Sequence, residues 1–139
     1  MNVLVETSVW SLALRRRQQD LNLTESAVVR ELQELIEEGR ARIVGMIRQE
    51  LVSGIKTGQQ FESLRKTLAE FPDLPTLPED YVEAAKMGNS CRAKGLATSA
   101  VDMLLCAVAV RSGWEIFSTD PDFERYSKVL EIRAHRLRE

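Results

Sequence analysis

Several features that mark specialised classes of protein are scarce in this sequence. Only two cysteines occur, Cys91 and Cys106, and their wide separation matches neither a disulfide-rich secreted domain nor a zinc-ligand motif. The longest apolar run, from Ala100 to Val110, contains Asp102 and is too short to cross a bilayer. The amino terminus lacks the basic segment and apolar core of a secretion signal. We therefore expect a cytoplasmic protein in a reducing environment, with no membrane role.

Histidine and net charge are also low. The single histidine, His135, lies near the carboxyl end and no G-x-S-x-G motif is present, which disfavours a serine hydrolase. The formal net charge is -2, so the chain as a whole is not a basic nucleic-acid binder. Positive charge is concentrated in two arginine clusters, Arg15–Arg17 and Arg133, Arg136 and Arg138. Either cluster alone is better explained as solvated surface charge, so charge does not identify a substrate.

The sequence contains enough apolar residues to form one hydrophobic core. The chain has 139 residues, of which 44% are hydrophobic, and this size supports a single domain without disulfides or zinc. No internal repeat, linker or low-complexity segment interrupts it. We therefore expect one domain over residues 1–139.

Hydrophobic periodicity predicts an alternation of strands and helices. Strands are predicted at Asn2–Val5, Arg42–Gly45, Trp114–Phe117 and Val129–Ile132, with a brief extended segment at Leu74–Leu77. Helices are predicted at Val9–Leu14, Thr24–Ile36, Met46–Ile55, Phe61–Phe71, Pro78–Lys94, Ala100–Val110 and Pro121–Tyr126. This alternation favours an α/β fold with a mostly parallel central sheet flanked by helices.

Acidic residues follow the predicted strands. Glu6 comes after the first strand, and Asp120 and Asp122 come after the strand Trp114–Phe117. Glu50 and Asp102 are expected near the beginnings of their helices. Because ligands of parallel α/β sheets gather at the carboxyl ends of the strands, five acids are expected at one edge. Like charges gathered there need a compensating cation, and ligands that are all oxygen favour magnesium or manganese.

Each acid also has a purely structural explanation. The sequence from Ser99 to Asp102 fits a helix capping box, and Asp120 before Pro121 fits a helix cap with a first-turn proline. Glu50 fits a solvated helix flank, and Asp122 fits a favourable charge at a helix start. Taken singly, these structural roles are at least as good as metal binding.

Four short segments in this order make the pattern more specific. They are Val3-Leu4-Val5-Glu6-Thr7-Ser8-Val9-Trp10, Arg48-Gln49-Glu50-Leu51, Val101-Asp102-Met103-Leu104-Leu105-Cys106-Ala107-Val108-Ala109 and Phe117-Ser118-Thr119-Asp120-Pro121-Asp122-Phe123. The ordered set resembles PIN-domain proteins, specifically the VapC-type toxin ribonucleases of bacterial and archaeal toxin–antitoxin pairs. The resemblance covers essentially the whole chain.

The resemblance implies a Mg²⁺-dependent endoribonuclease, with Mn²⁺ as a substitute, that cuts transfer RNA or another structured RNA. It implies inhibition by a cognate antitoxin, and commonly a homodimer. By this resemblance the catalytic residues are the matching positions Glu6, Glu50, Asp102 and Asp120. The metal ligands are Glu6, Asp102, Asp120 and Asp122. Thr7 or Ser8 matches the hydroxyl residue after the first acid. Magnesium held by such carboxylates would activate a water for in-line attack on phosphorus.

A partner groove is a second expectation from the resemblance. Trp10, Leu12 and Leu14, followed by the arginine run, occupy a region where antitoxin segments bind in relatives. Core packing and surface charge are the more common explanation of such residues, although apolar patches do mark some interfaces.

One position departs from the family pattern. The first acid is usually aspartate, and here it is Glu6, whose extra methylene can move the carboxylate by about 1.5 Å. A displacement of about 1 Å can cost on the order of a hundredfold in rate. Two readings therefore stay open: an active nuclease, or a catalytically impaired PIN-like protein that binds RNA or a partner. We expect Glu6→Asp to raise, or at least not lower, metal-dependent cleavage.

Other α/β enzymes with acids after the first strand fit less well. A haloacid dehalogenase phosphatase needs an aspartate nucleophile and a second aspartate two residues later. The segment Glu6-Thr7-Ser8 has neither.

Overall fold

Short strands alternate with helices along the whole chain in the computed structural model, which describes residues 1–139. The strands are β1 (Val3–Val5), β2 (Ala41–Val44), β3 (Asp73–Leu74) and β4 (Glu115–Phe117). The helices are α1 (Thr7–Leu14), α2 (Leu23–Glu37), α3 (Gly45–Val52), α4 (Gly58–Leu68), α5 (Pro78–Ala93), α6 (Ala100–Ser112) and α7 (Pro121–Tyr126), with one 3-10 turn at Gln18–Asp20. No helix combines the length and apolar character needed to span a bilayer.

The four strands form one parallel sheet in the order β3-β2-β1-β4. Val3 lies beside Ala41 of β2 on one side and beside Glu115 of β4 on the other. All three residues of β1 are fully buried, as expected for a central strand covered by helices on both faces. The predicted α/β class with a parallel sheet flanked by helices is therefore confirmed.

The apolar start of α1 belongs to the core. Trp10 and Leu12 are buried, the Trp10 Nε1 donates a hydrogen bond of 3.0 Å to the Val5 carbonyl oxygen, and its ring meets Phe71 edge-on at 5.0 Å between centroids. Leu14 is only partly buried. Core packing thus explains Trp10 and Leu12.

The predicted strand at Val129–Ile132 is wrong. The chain continues from α7 into a turn, in which the backbone N–H groups of Val129 and Leu130 both donate to the Tyr126 carbonyl oxygen. Residues that close a turn in this way cannot be extended. The sheet instead gains one parallel bridge further on, between Ala134 and Ile116 of β4.

An ion-pair network holds the carboxyl-terminal segment against α2. The buried Glu31 accepts hydrogen bonds from Arg138 Nε at 2.7 Å and lies 2.7 Å from His135 Nε2. His135 Nδ1 lies 2.9 Å from Glu115, and Arg138 also donates to Glu38 at 2.8 Å. Arg138 is therefore part of the fold and not free surface charge.

Candidate active site

Parallel strands bring three of the predicted acids to one edge of the sheet. Glu6 directly follows β1, and Asp120 follows β4 after Ser118 and Thr119. Because α6 runs back from this edge to the start of β4, its first-turn residue Asp102 lies there as well. The segments that matched the sequence pattern therefore meet in space.

Glu6 is buried and is held by two serines. Its side chain is the N-cap of α1, and Oε1 accepts hydrogen bonds from the Ser8 backbone N–H at 3.1 Å, the Ser8 hydroxyl at 2.6 Å and the Ser118 hydroxyl at 2.6 Å. The two hydroxyls in turn accept from the backbone N–H groups of Thr119 and Asp120. This arrangement ties the start of α1 to the end of β4.

The environment of Glu6 favours its neutral form. Burial raises the pKa of the Glu6 carboxyl, and the negative charge of Asp102 adds to the rise. The hydrogen bonds from Ser118 and Ser8 stabilise the carboxylate and oppose the rise without cancelling it.

Asp102 is held by a tyrosine from α7. The Ser99 side-chain oxygen accepts from the Asp102 backbone N–H at 3.1 Å, but the Asp102 carboxylate does not complete the capping box. Its Oδ2 instead accepts a hydrogen bond of 2.8 Å from the Tyr126 hydroxyl. Burial raises the pKa of Asp102, and the charges of Asp120 and Glu50 raise it further.

Glu50 reaches this group from an unexpected position. It was expected near the beginning of its helix, but α3 starts immediately after β2 at Gly45, which puts Glu50 in the last turn. The helix is only eight residues long, so its last turn remains near the edge of the sheet. There the Thr7 hydroxyl donates to Glu50 Oε1 at 2.7 Å.

Asp120 and Asp122 both have structural roles at the start of α7. Asp120 caps this helix, since its Oδ1 accepts from the Asp122 backbone N–H at 2.9 Å, and Pro121 occupies the first turn. The Asp122 carboxylate pairs with Arg125 at 2.6 Å. Of the two, Asp120 is the one whose charge acts on Asp102.

The donor set suits a hard divalent cation in its chemistry. Every candidate ligand is a carboxylate oxygen. The charge of Asp102 raises the pKa of Glu6, and the charges of Asp120 and Glu50 raise the pKa of Asp102, as expected of a group that a cation would stabilise. No three His, Cys, Asp or Glu side chains are arranged as a ready-made metal cage. Glu6 bonds to the serines and Asp122 to Arg125. The assignment of Glu6, Asp102, Asp120 and Asp122 as metal ligands stays a prediction.

Sequence reasoning missed two residues at this edge. Ser118 follows β4 and precedes Asp120 by two positions, so its place after a strand was a usable signal. Tyr126 gave no local signal, because it is 24 residues from Asp102 and the contact depends on how α7 packs. The accessory residues Thr7 and Ser8 do contact acids, namely Glu50 and Glu6.

The chain is similar in sequence to two mycobacterial proteins of the same kind. The chain is 26% identical over 140 residues to the VapC ribonuclease Mb1587 of Mycobacterium bovis, covering 98% of this chain and 99% of that protein. It has the same identity and coverage to Ribonuclease VapC11 of Mycobacterium tuberculosis.

Solved structures with this fold include FitAcB from Neisseria gonorrhoeae, with a TM-score of 0.74, 20% identity and coverage of 96% of each chain. They also include VapBC2 from Rickettsia felis bound to a DNA fragment from their promoter, with a TM-score of 0.73, 14% identity and coverage of 97% and 98%. The model of the PIN domain family matches residues 3–129. With this match across nearly all of the fold, and with acids from β1, α6 and β4 at one edge of the sheet, the chain belongs to the PIN domain family.

Proposed function

We propose that this protein is a metal-dependent endoribonuclease of the VapC type, which cuts transfer RNA or another structured RNA and is neutralised by a cognate antitoxin. The observation that carries the proposal is that Glu6, Glu50, Asp102 and Asp120, which lie on four different elements, come together at the carboxyl edge of the sheet. There the charges of Asp120 and Glu50 raise the pKa of Asp102, and that of Asp102 raises the pKa of Glu6. Repulsion among fixed carboxylates lowers the stability of the fold. A cluster of acids that carries this cost is therefore better explained by a functional role than by a structural one.

The chemistry of phosphodiester hydrolysis fits these residues. Glu6, Asp102 and Asp120 would hold Mg²⁺ or Mn²⁺, which when bound supplies the positive charge that activates a water and neutralises the phosphate. Hydroxyl donors orient three of the carboxylates: Ser8 and Ser118 on Glu6, Thr7 on Glu50, and Tyr126 on Asp102. The donors on Glu6 and Asp102 favour the charged forms of these two acids, which are the forms that bind a cation.

The proposed partners follow from the family. Two relatives carry ribonuclease in their names, which supports RNA as the substrate. For the antitoxin we propose the cavity between α1 and α4, of about 630 Å³, whose lining includes Leu14, Arg15, Ile55 and Leu64. Its lining combines three apolar side chains and one arginine with uncharged polar residues, a mixture that suits an amphipathic segment carrying an acidic residue. We also propose that the protein is a homodimer, which light scattering of the purified protein tests by measuring its molar mass in solution.

The decisive experiment is cleavage of labelled total transfer RNA with Mg²⁺ or Mn²⁺, with chelator, and with two variants. Asp102→Asn removes the charge but keeps an acceptor for Tyr126. Glu37→Gln removes an exposed acid of α2, on the opposite edge of the sheet. We expect cleavage that requires metal, is lost in Asp102→Asn and is unchanged in Glu37→Gln. Cleavage that persists in chelator, or in Asp102→Asn, would overturn the proposal.

A second candidate is a catalytically impaired PIN-like protein that binds RNA or a partner. The observation that favours it is the engagement of Glu6 Oε1 by three hydrogen bonds, since a carboxylate held in this way is less available to a metal. An intact acidic cluster should still be stabilised by a cation, so Mn²⁺ or Ca²⁺ should raise the melting temperature. Stabilisation by metal without cleavage of any RNA would favour this candidate.

A further inference from the structure

Helix α7 links two of the acids of the candidate site. Its N-cap is Asp120, and its last residue is Tyr126, whose hydroxyl donates to Asp102 Oδ2 at 2.8 Å. The helix has only six residues. Because Asp120 caps one end of this short helix and Tyr126 at the other end bonds to Asp102, the position of Asp102 is coupled to that of Asp120.

The Tyr126 ring and hydroxyl have separate contacts. Tyr126 is 2% exposed, and its ring packs edge-on against Phe123 with centroids 5.3 Å apart. A phenylalanine would provide the same packing. The hydroxyl adds one buried polar atom, whose single hydrogen-bond partner is Asp102. Burying a hydroxyl is costly unless it is hydrogen-bonded, so its benefit must come through Asp102.

The direction of this hydrogen bond is fixed by the two groups. A phenol is protonated near neutral pH, and an ionised carboxylate can only accept, so the Tyr126 hydroxyl donates to Asp102. A charge-assisted hydrogen bond to Oδ2 restricts rotation of the Asp102 carboxylate. Hydrogen bonds of this kind to metal-binding groups typically change affinity by about 10–100-fold.

We propose that Tyr126 is a positioning residue that holds the Asp102 carboxylate towards Asp120 and Glu50 and thereby sets the affinity of the site for a divalent cation. This inference rests on the proposed metal-dependent nuclease function. Tyr126 acts through Asp102 and does not itself bind the metal or the RNA.

The test is Tyr126→Phe, which deletes the hydroxyl and keeps the ring. The matched control is Tyr81→Phe, the same chemical change at a tyrosine that is 56% exposed and whose hydroxyl lies 3.1 Å from Thr76. Mn²⁺ affinity is measured without RNA, from the electron paramagnetic resonance signal of free Mn²⁺, and melting temperature is measured in chelator. We expect the Kd for Mn²⁺ to rise roughly tenfold in Tyr126→Phe and to stay at the wild-type value in Tyr81→Phe.

Kinetics and a double variant separate positioning from a general structural effect. With RNA at saturating Mn²⁺, we expect kcat to fall in Tyr126→Phe while KM for RNA is unchanged. In an Asp102→Asn background, Tyr126→Phe should change the Mn²⁺ affinity less than twofold, because the group through which it acts is already altered.

Two outcomes would overturn the inference, and only the second would also overturn the proposed function. If Asp102→Asn weakens Mn²⁺ binding but Tyr126→Phe only lowers the melting temperature in chelator, Tyr126 is a packing residue and the proposed function stands. If Asp102→Asn leaves Mn²⁺ binding unchanged, the proposed metal site fails and the inference fails with it.

Discussion

Glu6 is the residue at which this chain departs from the pattern of its family and at which the structure explains the departure. The longer side chain allows one oxygen to accept from Ser8 and Ser118 together while remaining the N-cap of α1. The glutamate is therefore anchored in the fold. Whether that anchoring helps or hinders catalysis depends on the distance between its carboxylate and the other acids, which two substitutions can vary separately.

Shortening the side chain changes distance and keeps charge. In Glu6→Asp we expect metal-dependent RNA cleavage to rise, or at least not to fall, because the carboxylate is withdrawn by about 1.5 Å from the serines that hold it. The free energy of unfolding in chelator should fall by about 1 kcal/mol through the lost hydrogen bond to Ser118. Initial cleavage rates and urea unfolding measure the two effects.

Glu6→Gln is the control, because it keeps the length and the acceptor oxygen and removes the charge. We expect its cleavage rate to fall by on the order of a hundredfold or more, a loss at least as large as that caused by misplacing a catalytic group by about 1 Å. A clear fall in the rate of Glu6→Asp would instead mean that the site is built around glutamate.

Among the structural elements, α7 combines a capping function with the candidate chemistry. The dipeptide Asp120-Pro121 predicted the start of this helix correctly, because the Asp120 side chain accepts from an N–H of the first turn and Pro121 has no N–H that needs a partner. The same dipeptide carries an acid whose charge raises the pKa of Asp102. A structural explanation and a functional one therefore apply to one side chain, and substitution can separate them.

Asp120→Asn and Asp120→Ala give different results under this interpretation. Asparagine is as good an N-cap as aspartate, so Asp120→Asn should leave the free energy of unfolding in chelator nearly unchanged, whereas Asp120→Ala should lower it by about 1 kcal/mol. Both should lose metal-dependent cleavage, since both remove the charge. Urea unfolding and cleavage assays on the same preparations test this, and full activity in Asp120→Asn would show that the residue is only a cap.

At the scale of the whole molecule, two groups of acids respond to pH in opposite directions. At the carboxyl-terminal segment, Arg138 and Arg40 lower the pKa of Glu38 to about 2, and Arg138 and His135 lower that of Glu31 against the effect of its burial. Such acids stabilise the fold above their ordinary pKa, and this stability is lost as the pH falls through the lowered value. At the candidate site, the pKa values of Glu6 and Asp102 are raised.

An acid with a raised pKa binds its proton more tightly in the folded state. Its contribution to stability therefore falls as the pH rises from the ordinary pKa through the raised value. In chelator we expect the free energy of unfolding to decline as the pH is raised from about 4.5, near the ordinary pKa of a glutamate, and Mn²⁺ to restore it. The double variant Glu6→Gln and Asp102→Asn should lack both the decline and the restoration. Urea unfolding across this pH range measures it, and parallel curves for the two proteins would contradict it.

The sequence by itself determined the fold class, the order of the elements as far as α7, and that Glu6 and Asp120 follow strands β1 and β4. These follow from local physics: β-branched runs form strands, side-chain and proline caps start helices, and Gly113, which adopts a φ of 71°, ends α6 where the chain needs a left-handed residue. Parallel strands then require that residues following β1 and β4 share an edge.

Only the tertiary structure decided which groups hold those acids and how the chain ends. The bond from Tyr126 to Asp102, the bonds from Ser8 and Ser118 to Glu6, and the place of Glu50 in the last turn of α3 all depend on packing between elements distant in sequence. The run Val129–Ile132 has the pattern of a strand, yet hydrogen bonds to Tyr126 turn its first two residues, and pairing with β4 occurs at Ala134. A local sequence pattern indicates which residues are buried. The hydrogen-bond partner of each polar group depends on which elements pack together in three dimensions.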